Sequence, residues 1–314
     1  MKRRALLAGA FALPSASGQV VDPIPIIDSH IHLFDPSRPQ GVPWPSKDNA
    51  VLYKPALPGR YRSIATPLGV KGAIVIECSP WPDDNEWVLS LAATDRIVVG
   101  TVGHLQPGAP AFREQLERLR QNPLFRGIRC GNLWGADIGR ELSNADAIAD
   151  LKRLAEADLE LDLANPTPKL IADTVRLTDA LPELRVIVDH LPRMDPPSDP
   201  RIRMEVDANL RRLGERRRVY AKLSGVLRRV DGRVPLDLAF YKPALDRLWD
   251  LFGEDRLVYG SDWPNSDQWG SYADSLRIVR EFLNSKSRAA AEKVLWRNSV
   301  AAYRWTKRDA QQPA

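Results

Sequence analysis

The stretch "IIDSHIHLFDP" (residues 26–36) begins as an apolar strand and breaks into a loop at Pro36. It carries His30 and His32, two of only four histidines in the chain. In an extended segment, residues i and i+2 face the same side, roughly 7 Å apart. The two imidazoles therefore aim at one point from one strand end. Such a pair can hold a divalent metal, or it can donate hydrogen bonds to one substrate oxygen.

Working outward, seven further apolar runs follow: "GAIVIEC" (72–78), "RIVVGTV" (96–102), "RGIRC" (126–130), "LELDL" (159–163), "RVIVD" (185–189), "RVYAKL" (218–223) and "RLVYG" (256–260). With "IPIID" (24–28) they make eight. They are continuous rather than alternating in hydrophobicity, as strands covered on both faces are. Helical patterns lie between them, over 109–122, 144–158, 167–182 and 240–253. Asn144 and Thr167 are placed as N-caps, Pro168 sits in a first turn, and Gly253 is placed as a C-cap. Eight strands alternating with helices over this length predict a single (β/α)8 TIM barrel. The proline-rich stretch 36–67 reads as a long loop after strand 1.

The remaining histidines then sort themselves. His104 follows strand 3, His190 follows strand 6, and Asp262 follows strand 8 in "LVYGSDWPNS". Every histidine falls at a C-terminal strand end, the face on which barrel enzymes carry their chemistry.

Composition sets bounds on the rest. The chain has 314 residues, 44% hydrophobic and 27% charged, enough for a large core. Of its net charge of +5, three units come from Lys2, Arg3 and Arg4. The run "RRLGERRR" (211–218) reads as the solvated face of a helix, not a nucleic-acid patch. Cys78 and Cys130 follow strands that are not consecutive and read as buried free thiols. Residues 1–18, "MKRRALLAGAFALPSASG", resemble an export signal with a twin-arginine-like start, which places residues 19–314 as the barrel domain. Export implies a periplasmic or secreted protein; without it, the protein is cytoplasmic. No apolar run is long enough to span a bilayer. The oligomeric state stays open.

The segments "DSHIHLFDP", "RGIRCG", "DHLPR", "AKLSGV" and "LVYGSDWP", with "NSVAAYRW" (298–305), resemble the amidohydrolase superfamily. More narrowly they resemble the amidohydrolase-related group that includes sugar-lactone hydrolases and pyrone-dicarboxylate lactonase. The resemblance spans about residues 24 to 306. It implies that Asp262 takes a proton from the attacking water, that Trp263 packs by the site, and that Arg129 binds a substrate carboxylate or carbonyl.

The chain departs from the two-metal pattern. Strand 4 ends in Arg129–Cys130 rather than a lysine, and strand 5 ends in "LDLANP" with no histidine. The expectation is no cofactor or one divalent ion such as zinc; if bound, it would use His30, His32 and Asp262. Ester hydrolysis needs a base and positive charge at the developing oxyanion. Asp262 supplies the first; His30, His32 and His190 can supply the second. His104 and Tyr53 are substrate-contact candidates, as are Trp44 and Trp81 on predicted mouth loops. Glu77 and Lys222 divide between substrate-facing and structural roles.

The expected activity is hydrolysis of a small lactone or related cyclic ester, with a small, lactone-type or carboxylate-bearing molecule as partner. A metal-dependent decarboxylase or hydratase on the same barrel, and a non-catalytic small-molecule binding protein, are the alternatives.

Overall fold

In the computed structural model, which describes residues 23–313, all eight apolar runs form strands. β1 (Ile26–Ile31) leads to α1 (Pro58–Ala65), β2 (Val70–Ile76) to α2 (Pro82–Thr94) and β3 (Val98–Gly103) to α3 (Phe112–Leu119). β4 (Phe125–Gly131) leads to α4 (Ile138–Glu141) and α5 (Ala145–Glu156), β5 (Glu160–Ala164) to α6 (Pro168–Ala180) and β6 (Arg185–Val188) to α7 (Pro200–Gly214). β7 (Val219–Leu223) leads to α8 (Leu238–Phe252) and β8 (Leu257–Tyr259) to α9 (Tyr272–Leu283), with α10 (Arg288–Glu292) and α11 (Asn298–Tyr303) behind.

The strands are parallel and pair in sequence order. Just past β8 the chain bonds back to β1: Asp262 N donates to His30 O at 2.9 Å, and His32 N to Trp263 O at 2.7 Å. This closes the barrel and ties the two strand ends that carry His30, His32 and Asp262 to one another. The fold is the expected (β/α)8 barrel.

The caps fall where the sequence places them. The Asn144 side chain accepts from Asp146 N, and Thr167 accepts from Leu170 N ahead of Pro168. Gly253 ends α8 at φ 66°, a left-handed geometry that glycine adopts without strain.

Two local expectations are corrected. The stretch 36–67 is not all loop: Pro58 opens α1, whose Tyr61 and Ala65, four residues apart, are buried against the barrel. The proline content hides this spacing. The arginine run 211–218 is not one helix face, because α7 ends at Gly214, where an ideal Cβ would stand 2.1 Å from Leu251 O. Three of its arginines are paired: Arg212 and Arg216 hold Asp179, and Arg218 holds Glu183.

Inside the barrel, Ile27, Ile74, Val99, Ile187 and Val258 pack with Trp296 and Tyr303. The same strands also turn charged side chains inward: Arg129, Asp162, Asp189 and Lys222 are all buried. Both cysteines are free thiols, Cys130 buried and Cys78 half-buried. Among the described residues, no helix is long and apolar enough to cross a membrane. The export-signal expectation lies on residues 1–18, outside the described residues.

Candidate active site

His30, His32, His190 and Asp262 meet at the C-terminal mouth of the barrel. Asp262 Oδ1 stands 3.4 Å from His32 Nε2, 3.7 Å from His30 Nε2 and 3.8 Å from His190 Nε2. That oxygen is buried and makes no hydrogen bond of its own. The other carboxylate oxygen is engaged: Asn265 Nδ2 donates to Oδ2 at 2.8 Å, and Arg193 donates at 3.4 Å. Asp262 and His190 hold left-handed backbones, at φ 63° and 54°. Such conformations are uncommon for side chains of this size and concentrate at functional sites.

Each ring is oriented by a partner behind it. His32 Nδ1 meets Ile76 O at 2.9 Å; a carbonyl only accepts, so the proton is assigned to Nδ1. His190 Nδ1 meets Ser224 Oγ at 2.8 Å, and that hydroxyl already accepts from His190 N. Nδ1 is the acceptor within reach of that hydroxyl's proton, so the proton of the neutral ring is assigned to His190 Nε2, facing Asp262. His30 Nδ1 lies 3.1 Å from Lys222 Nζ.

Burial alone would raise the Asp262 carboxyl, but His190, then His32 and His30, outweigh it and hold it well below the usual carboxylate range. Burial drives His190 down to about 4 against the pull of Asp262 and Asp189. The site at neutral pH is therefore an ionised carboxylate facing an uncharged imidazole.

Arg129 lines the mouth but is committed to the protein: NH1 donates to Glu77 O at 3.0 Å, and Nε lies 3.4 Å from Asp189 Oδ2. Glu77 in turn accepts from Trp134 Nε1 at 3.0 Å. Lys222 faces the interior and pairs with Asp162 and Asp189, each at 2.7 Å.

Three expected contacts lie elsewhere. Trp263 is fully buried, 5.3 Å ring to ring from Tyr61 of α1, because the residue after an inward Asp262 points outward. His104 is anchored by its backbone to Asn85, and Tyr53 by its backbone to Asn49; neither side chain is among those lining the cavity.

The cavity measures about 150 Å³, and besides the residues above its lining includes Trp44, Leu133, Trp134, Asn165, Arg193 and Asn265. Of these, only Trp44 is anticipated from sequence. Arg193 and Asn265 each follow a predicted site residue by three positions, in "DHLPR" and "DWPN", which is the signal that could have found them. Trp134 sits on a loop at φ 54° and leaves no such signal.

The donor set suits one divalent ion. His30 Nε2, His32 Nε2 and Asp262 Oδ1 are separated by 3.3, 3.4 and 3.7 Å. Bonds of 2.0–2.1 Å in a tetrahedral zinc site give ligand separations of about 3.4 Å.

Known proteins are similar to this chain in sequence and in fold. A curated L-fucono-1,5-lactonase from Burkholderia ambifaria is 27% identical over 253 residues, covering 79% of this chain and 83% of the relative. A crystal structure of a Burkholderia multivorans amidohydrolase with bound zinc superposes with a TM-score of 0.79 at 23% identity, covering 90% of this chain and all of that one. A putative 2-pyrone-4,6-dicarboxylic acid hydrolase from Pseudomonas putida gives a TM-score of 0.66 at 23% identity, over 90% of this chain and 98% of its own. The amidohydrolase family model matches residues 27–305. The chain belongs to the amidohydrolase family.

Proposed function

We propose that this protein hydrolyses small monocyclic lactones to hydroxy acids, with Asp262 as the base and imidazoles at the oxyanion. The observation that carries the reading is the unpartnered Oδ1 of Asp262, ringed by three imidazole Nε2 atoms at 3.4–3.8 Å. A water held at Oδ1 would attack the ester carbonyl; Asp262 would take its proton and return it to the ring oxygen as the acyl C–O bond breaks, giving the hydroxy acid. His190, with its proton on Nε2, would donate to the carbonyl oxygen as charge develops there; one such donor is worth about 3 kcal/mol of barrier.

A carboxylate held so far below the usual range is a weak base for bare water. A lactone, being a strained ester, asks less of it than an amide would. A divalent ion at His30, His32 and Asp262 would polarise the carbonyl and acidify bound water.

Cavity size supports a small substrate, since 150 Å³ lies below the roughly 300–1,000 Å³ of typical ligand pockets. The indoles of Trp44 and Trp134 would cover the apolar face of a ring. Arg193 (32% exposed at its side chain) would meet ring oxygens or the carboxylate formed on opening. The lactonase name of the Burkholderia ambifaria relative points the same way.

A pH-indicator screen of the purified chain tests this. The panel holds five- and six-membered sugar lactones, the matching lactams and open-chain esters, each with and without chelator. Turnover of lactones over lactams supports the reading; turnover of lactams alone, or of nothing, removes it.

A further inference from the structure

Lys222 is fully buried, and an ammonium only donates hydrogen bonds. Its Nζ has three neighbours: Asp162 Oδ2 at 2.7 Å, Asp189 Oδ1 at 2.7 Å and His30 Nδ1 at 3.1 Å. With two N–H groups directed at carboxylates, the third meets His30, so His30 Nδ1 must present a lone pair. The competing pairing, a proton on His30 Nδ1 shared with Asp189 Oδ1, spans 3.5 Å and would turn that proton toward the ammonium.

The far side of the ring gives the same answer independently. His32 carries its proton on Nδ1, facing Ile76 O at 2.9 Å, so its Nε2 is a lone pair. His30 Nε2 lies 3.3 Å from that nitrogen. Two lone pairs at this distance repel, and a proton on His30 Nε2 removes the conflict. One directed chain satisfies every member: Lys222 to His30, His30 to His32, His32 to Ile76 O.

We infer that Lys222 is a positioning residue that fixes the His30 proton on Nε2. That proton is directed at His32 Nε2, and a substrate oxygen can accept it only by replacing that contact. Asp262 Oδ1 remains as the ready lone-pair donor for a cation, which must break the His30–His32 contact to reach either ring. A metal can recruit His30 as a third ligand only by displacing the proton that Lys222 holds there. Lys222 thus biases the mouth toward donor chemistry and weakens its grip on metal. The kinetic part rests on the lactone-opening reading; the tautomer and the metal affinity do not.

The test uses the full chain labelled with 15N-histidine, whose four histidines give a readable long-range 1H–15N spectrum. His30→Gln identifies the His30 signals by their loss. The expected pattern for His30 is a protonated Nε2 and an unprotonated Nδ1; a protonated Nδ1, alone or with Nε2, overturns the inference. A second arm uses Lys222→Met combined with Asp162→Asn, so that no new unpaired charge is buried there. In that variant His30 is expected to move its proton to Nδ1, toward Asp189. Zinc chloride, titrated calorimetrically, should then bind at least about tenfold more tightly, because recruiting His30 no longer costs a proton. kcat on the best lactone should fall about a hundredfold with KM little changed. Unchanged zinc affinity, or a His30 that keeps its Nε2 proton, contradicts the inference. If the double variant does not fold, the wild-type spectrum alone decides. A wild type with the expected tautomer and no lactone turnover would sink the proposed function and leave this assignment standing.

Discussion

Asp28 sits two residues before His30 and is fully buried, yet it touches no part of the cavity. Its Oδ1 accepts from Ser261 N at 2.8 Å and His30 N at 3.1 Å; its Oδ2 accepts from Tyr61 and Tyr272 hydroxyls, both at 2.9 Å. One carboxyl therefore joins the backbones beside His30 and Asp262 and ties both to α1 and α9. Asp28→Ala leaves four buried donors without an acceptor, each costing roughly 1–3 kcal/mol. The expected loss is at least about 4 kcal/mol, a large share of the roughly 5–15 kcal/mol that holds a folded domain together. Asp28→Asn keeps Oδ1 for the two backbone amides, and the tyrosine hydroxyls can rotate to accept from its new N–H groups. Burial already raises the Asp28 carboxyl above its ordinary value, so the neutral isostere is mild and should cost about 1 kcal/mol. Urea unfolding reads both, with an unchanged m-value confirming that stability is what moved. Asp28→Asn should also retain kcat/KM within a few-fold. An Asp28→Ala variant within about 1 kcal/mol of wild type, or an Asp28→Asn variant equally damaged, would refute the clamp.

Other consequences follow from burial. His104 is pushed down to about 4 by desolvation, so between pH 6.5 and 4 the unfolded chain binds a proton that the folded chain refuses. Stability therefore falls as pH falls through that window, and His104→Gln should recover roughly 2 kcal/mol of the loss, discounted for partial exposure. Urea midpoints at pH 7 and 4.5 check it; identical pH slopes in both proteins would rule it out. Burial also pushes the Cys78 and Cys130 thiols well above their ordinary value. Neither should be alkylated by iodoacetamide at pH 8 in the folded protein, whereas both should react in urea, as mass spectrometry would show. Gly214→Ala places a Cβ 2.1 Å from Leu251 O and should lower stability by about 2 kcal/mol, visible as a reduced melting temperature; an unchanged melt would mean α7 and α8 are less closely packed than described.

The barrel is legible in the sequence because parallel strands buried on both faces leave continuous apolar runs, and all eight survive as strands. Helix α1 is not, because prolines at 36–67 mask the Tyr61 and Ala65 spacing. At the site, the four groups that meet all lie at C-terminal strand ends, where the topology favours convergence, although His104, at the end of β3, stays out of the cavity. What fails is direction within a strand end. Trp263 neighbours Asp262 in sequence, yet strand alternation sends it to the opposite face. Arg129 lines the cavity as its strand-end position implies, but NH1 is held by Glu77 O and Nε faces Asp189, partners distant in sequence. Arg193, one turn beyond His190, reaches the cavity as well, and Trp134 arrives on a loop whose path no periodicity encodes.

The central claim is that the free oxygen of Asp262 does the chemistry. Asp262→Asn preserves shape and the other oxygen's contacts while removing the base. On the best lactone it should lower kcat/KM at least about a thousandfold while the melting temperature stays within a few degrees of wild type. A folded Asp262→Asn protein that keeps activity within tenfold would contradict the account.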